Sequence, residues 1–147
     1  VLITNVEHNK FYDELKKETH FDTDPRIKFV GTVYDAELLK YIRENAFGYL
    51  HGHSVGGTNP SLLEALGTTK LNLLYDVGFN REVGQNSALY WNKDYLNLAH
   101  LLEKTVSMAE KKINKLDDLS TKRIINAYSW ELIVNRYRKI FLQEKVQ

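Results

Sequence analysis

The residues best suited to chemistry lie in one stretch, His51-Gly-His-Ser-Val-Gly-Gly-Thr-Asn-Pro-Ser-Leu-Leu-Glu64. It follows an apolar segment typical of a buried strand and leads into a segment typical of a helix. N–H groups at a helix start have no intrahelical acceptor, and the helix dipole adds about half a positive charge there. Glycines let successive N–H groups converge on an anion. The stretch therefore predicts a phosphate site, with Glu64 placed to accept hydrogen bonds from a ribose diol.

Six residues of this loop are predicted to contact a diphosphate or a sugar: His53, Ser54, Gly56, Gly57, Thr58 and Asn59. Spacing alone leaves an alternative open for each feature. The loop can be a tight strand-to-helix turn without a ligand, and Glu64 can be an exposed acid on a helix face. Ligands of open α/β sheets bind beyond the carboxyl ends of the strands, where this loop lies. That position favours a binding function.

Other common sites lack their signatures. His51 and His53 have the spacing of a metal pair, but no third ligand is suitably spaced, so we expect no metal. No Gly-x-Gly-x-x-Gly follows a strand, and no Gly-Lys-Ser/Thr is present. We therefore expect neither a dinucleotide cofactor nor a P-loop.

The sequence around the loop alternates between segments with the apolar pattern of strands and segments with the 3.6-residue periodicity of helices. Strands are predicted at residues 1–4, 26–30, 46–50, 70–75 and 88–91, with helices after the first three. Asp35 and Asn59 are suited to cap helices, Pro60 suits a first helical position, and Gly67 suits a helix end. This order predicts an α/β fold, a Rossmann-like three-layer domain on a mostly parallel sheet.

The last third, residues 94–147, is predicted to be helical. Apolar residues recur at helical spacing from Tyr95 to Leu116, residues 117–120 interrupt them, and Ser120 or Thr121 is suited to start another helix. Ser129 is suited to cap a final helix. Its apolar face either packs on the folded body or, with Arg136, Arg138 and Lys139, meets an anionic membrane surface.

Composition excludes several classes of protein. The chain has 147 residues, 43% of them hydrophobic and 27% charged, which is ordinary for one globular domain with a core. A net charge of +1 gives no basis for nucleic-acid binding. No cysteine is present, so disulfides and thiolate metal sites are excluded. We expect no membrane span, no signal peptide and a cytoplasmic location.

The motifs together resemble the C-terminal half of GT-B glycosyltransferases of family four. The similarity covers nearly the whole chain, in the same order and spacing, and rests on Phe29-Val-Gly-Thr-Val-Tyr-Asp35, residues 46–66, Asn80-Arg-Glu-Val-Gly84, Ala88-Leu-Tyr90 and Tyr128-Ser-Trp130. The loop sequence itself is similar to the branch of bacterial rhamnosyltransferases that build capsule or cell-wall polysaccharide.

The resemblance implies roles for particular residues. Family members carry two glutamates separated by seven intervening residues, and Glu64 matches the second, which binds the nucleotide ribose. The first falls at Gly56, and this departure favours a deoxyhexose donor such as dTDP-rhamnose over a glucosyl donor. Gly57, Thr58 and Asn59 match the loop that reaches the diphosphate and sugar. Gly31, Thr32 and Val33 match the segment that borders the nucleobase, and Asn80 is expected on a later loop facing the same cleft.

The resemblance also implies an activity and its limits. The implied reaction is metal-free, retaining transfer of a sugar, L-rhamnose in this branch, to a saccharide or lipid-linked acceptor at the inner face of the cytoplasmic membrane. The basic pair that neutralises the diphosphate and the N-terminal acceptor domain lie upstream in the family. We therefore expect residues 1–147 to form one donor-binding domain that binds nucleotide but carries no catalytic residue. A non-catalytic nucleotide-binding regulatory or interaction domain and another Rossmann-like enzyme, such as an epimerase, are the alternatives.

Overall fold

The computed structural model of the chain describes residues 1–142. They belong to two compact units, Val1–Tyr41 and a second unit that begins at Ile42, so the boundary falls inside a helix. The two units are described separately below. The prediction of one donor-binding domain over the whole chain stays a prediction.

Seven α-helices and three β-strands form in the described residues. In chain order they are α1 Lys10–Thr19, α2 Ala36–Asn45, β1 Tyr49–His51, α3 Pro60–Thr68, β2 Asn72–Tyr75, α4 Gly78–Gly84, β3 Leu89–Trp91, α5 Tyr95–Val106, α6 Glu110–Tyr128 and α7 Trp130–Phe141. Short 3₁₀ turns occupy Phe21–Thr23 and Gln85–Ser87. The fold is α/β and mainly helical, which confirms the predicted class.

The three strands form one parallel sheet in the order β1-β2-β3. β1 pairs with β2 through Leu50 and Leu73, and β2 pairs with β3 through Leu74 and Tyr90. The predicted strands 46–50, 70–75 and 88–91 are confirmed, with bounds shifted by at most three residues. A parallel sheet with helical crossovers is compatible with a Rossmann-like arrangement.

The core of the second unit lies on both faces of the central strand β2. Leu74 belongs to one buried cluster with Leu62 and Leu66 of α3, whereas Leu73 belongs to another with Leu116 of α6. Successive side chains of a strand point to opposite faces, so β2 needs apolar cover on both sides. The two consecutive leucines of β2, Leu73 and Leu74, are explained by this position.

The two strands predicted in the first unit are wrong. Residues 1–4 and 26–30 meet only in an isolated parallel bridge between Leu2 and Phe29. Both residues are exposed, at 45% and 41%. A two-stranded pair that buries no apolar face is marginal in water, so apolar sequence alone did not suffice to extend it.

The predicted break in the helical region is misplaced. The chain leaves helical geometry at Ser107–Ala109, and α6 continues through residues 117–120. Ser120 is fully buried inside α6, and its hydroxyl donates to the Asp117 carbonyl at 2.9 Å. Because this hydroxyl bonds within α6, Ser120 does not cap a new helix. The last part of the predicted helical region, residues 143–147, lies outside the described residues.

The final helix forms as predicted, and most of its apolar face does not pack on the described residues, although Ile133 is half-buried. Ser129 caps α7 by accepting from the Leu132 N–H at 3.4 Å. None of the α7 side chains is buried, and Trp130 and Phe141 are 82% and 78% exposed. The amphipathic pattern of a helix indicates that its apolar face needs a partner, but the pattern does not identify that partner. Across residues 1–142, no helix is both long and apolar enough to cross a bilayer.

Candidate functional site

The predicted loop connects the end of β1 to a capped start of α3. The side-chain oxygen of Asn59 accepts from the Ser61 N–H at 2.9 Å. Its carbonyl accepts from the N–H groups of Leu62 and Leu63 at 3.0 and 3.1 Å. Pro60 occupies the first helical position, where its missing N–H costs nothing. The predicted cap and helix start are confirmed, whereas the helix ends at Thr68, one residue beyond Gly67.

Glycine is required at one position of this loop. Gly56 has a φ of +119°, which side-chain-bearing residues rarely adopt, while Gly57 has an ordinary φ and open space around it. Within residues 1–142, no protein acceptor receives the N–H groups of Gly56, Gly57 and Thr58. All three residues are exposed. The loop therefore presents unused donors beside a helix start, which is the chemistry of an anion site.

Two stacked histidines lie at the end of β1. The rings of His51 and His53 lie 4.7 Å apart between centroids, at an interplanar angle of 19°. His51 is buried, its Nδ1 lies 3.1 Å from the Tyr49 hydroxyl, and its Nε2 has no partner among the described residues. Burial, and to a smaller extent the neighbouring His53, lower the pKa of His51 to about 4. His51 is therefore neutral at pH 7 and supports the exposed ring of His53.

Asn80 lies inside helix α4, which corrects its predicted position on a loop. It is fully buried and donates from Nδ2 to the carbonyls of His53 and Tyr75, at 3.1 and 2.9 Å. These bonds join the loop to the carboxyl end of β2. The side chain thus holds the loop in place and is not presented at the surface.

Glu64 lies on α3 and is already paired. Arg43 in the last turn of α2 donates from Nη1 to Glu64 Oε2 at 2.5 Å. The Arg43 side chain is 11% exposed, whereas that of Glu64 is 55% exposed. In the described part of the chain, Oε1 has no partner, so one carboxylate oxygen remains for an outside donor.

The predicted nucleobase segment belongs to the other unit of the chain. Gly31, Thr32 and Val33 follow the Leu2–Phe29 bridge in the first unit. Gly31 has a φ of +71° and Thr32 is exposed. The loop, the two histidines, Glu64 and Asn80 all lie in the second unit.

Metal ligands do not cluster in the part of the chain that the structure describes. No group of three or more His, Asp or Glu side chains is arranged to hold an ion there. The exposed residues His53, Ser54 and Thr58 instead offer hydrogen-bonding groups around the loop.

Two residues of the site escaped the sequence analysis. Arg43 contacts a partner 21 positions away, and Tyr49 reads as part of an ordinary strand. The role of Arg43 has no local signal, because an ion pair between two elements leaves no periodicity. Tyr49 and His51 are two residues apart and share one face of β1, so strand alternation could have indicated their contact. Parallel pairing could have indicated only that the carboxyl ends of the strands meet at one edge.

Comparisons with protein-family models, with curated proteins and with solved structures returned no match to this chain.

Proposed function

We propose that the second unit binds the diphosphate and sugar of a nucleotide-sugar donor at the loop between β1 and α3. The observation that carries the proposal is the set of unused N–H groups at Gly56, Gly57 and Thr58, beside the capped start of α3. A helix start stabilises negative charge such as that of a diphosphate. In a nucleotide the diphosphate is linked to a ribose, whose hydroxyl groups need an acceptor such as Glu64 nearby.

The side chains around the loop suit the same ligand. Asn59 uses its side-chain oxygen for the cap, so it can offer a ligand only N–H donors. His53 and Ser54 are exposed and can donate to phosphate or sugar oxygens. Donors therefore surround the loop, and the Glu64 carboxylate accepts at the ribose end.

Within this proposal the chain is the donor-binding domain of a retaining GT-B glycosyltransferase of family four, in the rhamnosyltransferase branch. The support is the motif order given above, in which Gly56 replaces the acid that contacts the sugar hydroxyls of common donors. We propose dTDP-rhamnose as the donor and a saccharide or lipid-linked saccharide as the acceptor. Charge on the departing diphosphate is stabilised by helix-end amides without a metal.

The loss of the acid at Gly56 also favours a second candidate, a nucleotide-binding regulatory or interaction domain. The two candidates differ in what the loop recognises. A donor site should bind dTDP-rhamnose at least as tightly as dTDP, because the sugar adds contacts. A regulatory site that recognises only the nucleotide should bind the free diphosphate more tightly, since its terminal phosphate carries more charge.

Calorimetric titration with dTDP, UDP and dTDP-rhamnose tests the proposal. Glu64→Ala should weaken nucleotide binding by about 1.5–3 kcal/mol, the scale of a hydrogen bond to a charged group. Glu103→Ala on α5, another exposed acid, is the control and should bind normally. Because Glu64→Ala leaves Arg43 unpaired, the free energy of unfolding of each variant is measured alongside. Unchanged affinity in a folded Glu64→Ala protein would contradict the ribose role.

A further inference from the structure

Helix α7 carries a continuous apolar stripe. At 100° per residue, six residues fall within an arc of about 120° on its surface. They are Trp130, Ile133, Val134, Tyr137, Ile140 and Phe141. Three of the six are aromatic, and the rings of Tyr137 and Phe141 stack at 6.3 Å between centroids.

Five of the six residues of this stripe are exposed to solvent, and Ile133 is half-buried. Trp130 is 82% exposed, Ile140 is 68% exposed and Phe141 is 78% exposed. Folded domains rarely leave a contiguous apolar patch of several large residues uncovered unless it meets a partner. The stripe therefore needs an occupant that the described residues do not supply.

The charges around the stripe indicate which occupant fits. Arg138 borders one edge of the stripe and Arg136 borders the other, while Lys139 lies opposite. Three basic residues and the single acid Glu131 give α7 a formal charge of +2, whereas the whole chain has only +1. Helix α7 therefore combines a net positive charge with an exposed apolar stripe.

We propose that α7 lies in the surface of an anionic lipid bilayer. Its stripe enters the boundary between headgroups and acyl chains, and Arg136 and Arg138 reach lipid phosphates on either side. Tryptophan and tyrosine favour this boundary, because one end of each ring is apolar and the other forms hydrogen bonds. The inference rests on α7 alone and is independent of the proposed function.

Co-sedimentation of the full chain with lipid vesicles tests binding. The protein should pellet with mixed phosphatidylcholine–phosphatidylglycerol vesicles and much less with phosphatidylcholine alone. Arg136→Gln and Arg138→Gln should each weaken binding about fivefold, the contribution of one cation near such a surface. The control pair Lys111→Gln and Lys112→Gln, on exposed positions of α6, should bind normally.

A matched pair of apolar substitutions tests the orientation of the helix. Ile140→Asp in the last turn of α7 should weaken vesicle binding at least about tenfold, because the charge enters the apolar boundary. Val106→Asp at the end of α5 replaces an apolar residue that is 78% exposed, against 68% for Ile140, and should change nothing. Equal losses in the two variants would overturn the proposal.

Tryptophan fluorescence provides a direct readout. The Trp91→Phe variant leaves Trp130 as the only tryptophan, and its emission should shift to the blue when anionic vesicles are added. An unshifted emission would overturn the proposal. So would a concentration-dependent dimer, seen by gel filtration without lipid and abolished by Ile140→Asp, because a second copy would then cover the stripe.

Discussion

At the scale of single residues, Arg43 sets the environment of the acid on which the proposed function depends. It holds one oxygen of Glu64 at 2.5 Å and leaves the other without a partner in the described residues. A ribose diol is bound best when each hydroxyl donates to a different carboxylate oxygen. A carboxylate with one oxygen engaged is better suited to the single 3′-hydroxyl of a deoxyribose, as in a dTDP sugar.

We expect Arg43→Met to change the preference between ribose and deoxyribose. The wild type should bind UDP and dUDP about equally. In the variant, UDP should gain about 0.5–1.5 kcal/mol over dUDP, the contribution of one additional hydrogen bond. Calorimetry with this pair keeps the base constant, and Arg26→Met in the first unit serves as the control. A strong preference for UDP in the wild type would contradict this reading of the ion pair.

His51 should make the stability of the second unit depend on pH. Burial lowers its pKa from an ordinary value of 6.5 to about 4. Below pH 6.5 the His51 side chain is therefore protonated in the unfolded chain, whereas in the folded chain it stays neutral until the pH approaches 4. The contribution of His51 to the free energy of unfolding is fully present above pH 6.5. It falls by on the order of 3 kcal/mol as the pH is lowered towards 4.

Urea unfolding at a series of pH values measures this dependence. His51→Gln should flatten the profile between pH 6.5 and 4, and His100→Gln, at an exposed position of α5, should leave it unchanged. An identical slope in His51→Gln and the wild type would show that another group carries the effect.

The sequence predicted residues whose signals are local and missed those that act across elements. Asn59 and Ser129 were identified as caps because a cap bonds within three residues of itself. Asn80 was expected to face a cleft, yet it is buried and fixes the loop through the His53 carbonyl. Its environment depends on how α4 packs against the strand ends, which a single sequence does not encode locally.

At the scale of elements, the conformation of the loop depends on one glycine. Gly56→Ala should cost about 1 kcal/mol or more of folding free energy, because alanine is strained at a φ of +119°. Gly57→Ala meets open space at an ordinary φ and should be nearly neutral. Equilibrium unfolding compares the two variants. If they are equally stable, the positive φ does not restrain the loop.

Element types were predicted better than element boundaries and pairing. The apolar segments at 70–75 and 88–91 became strands because β2 and β3 are held between helices. Residues 1–4 and 26–30 have similar composition, but their residues stay exposed and only one bridge forms. Burial against neighbouring elements decided between these outcomes, and composition does not report it.

At the scale of the whole molecule, the two units differ in how much they bury. Every buried residue of the described chain lies in the second unit, including the two core clusters that contain Leu73 and Leu74, and residues 1–41 contain none. Stability within a protein follows local burial and contact density. The second unit should therefore be the more resistant to opening.

Hydrogen exchange checks this division. Amides of Leu73 and Leu74 in the central strand should exchange at least about a hundredfold more slowly than those of Leu2 and Val30 in the isolated bridge, after correction for intrinsic rates. Equal protection in the two units would mean that the chain opens as one cooperative body.

The most direct test of the central claim is an amide NMR titration of the chain with dTDP. We predict that the largest shift changes fall on Gly56, Gly57 and Thr58, whose N–H groups have no acceptor among residues 1–142, and that Glu64→Ala weakens the same response. If dTDP at millimolar concentration leaves these amides unchanged, or shifts only residues outside the loop and α3, the proposed donor site is wrong.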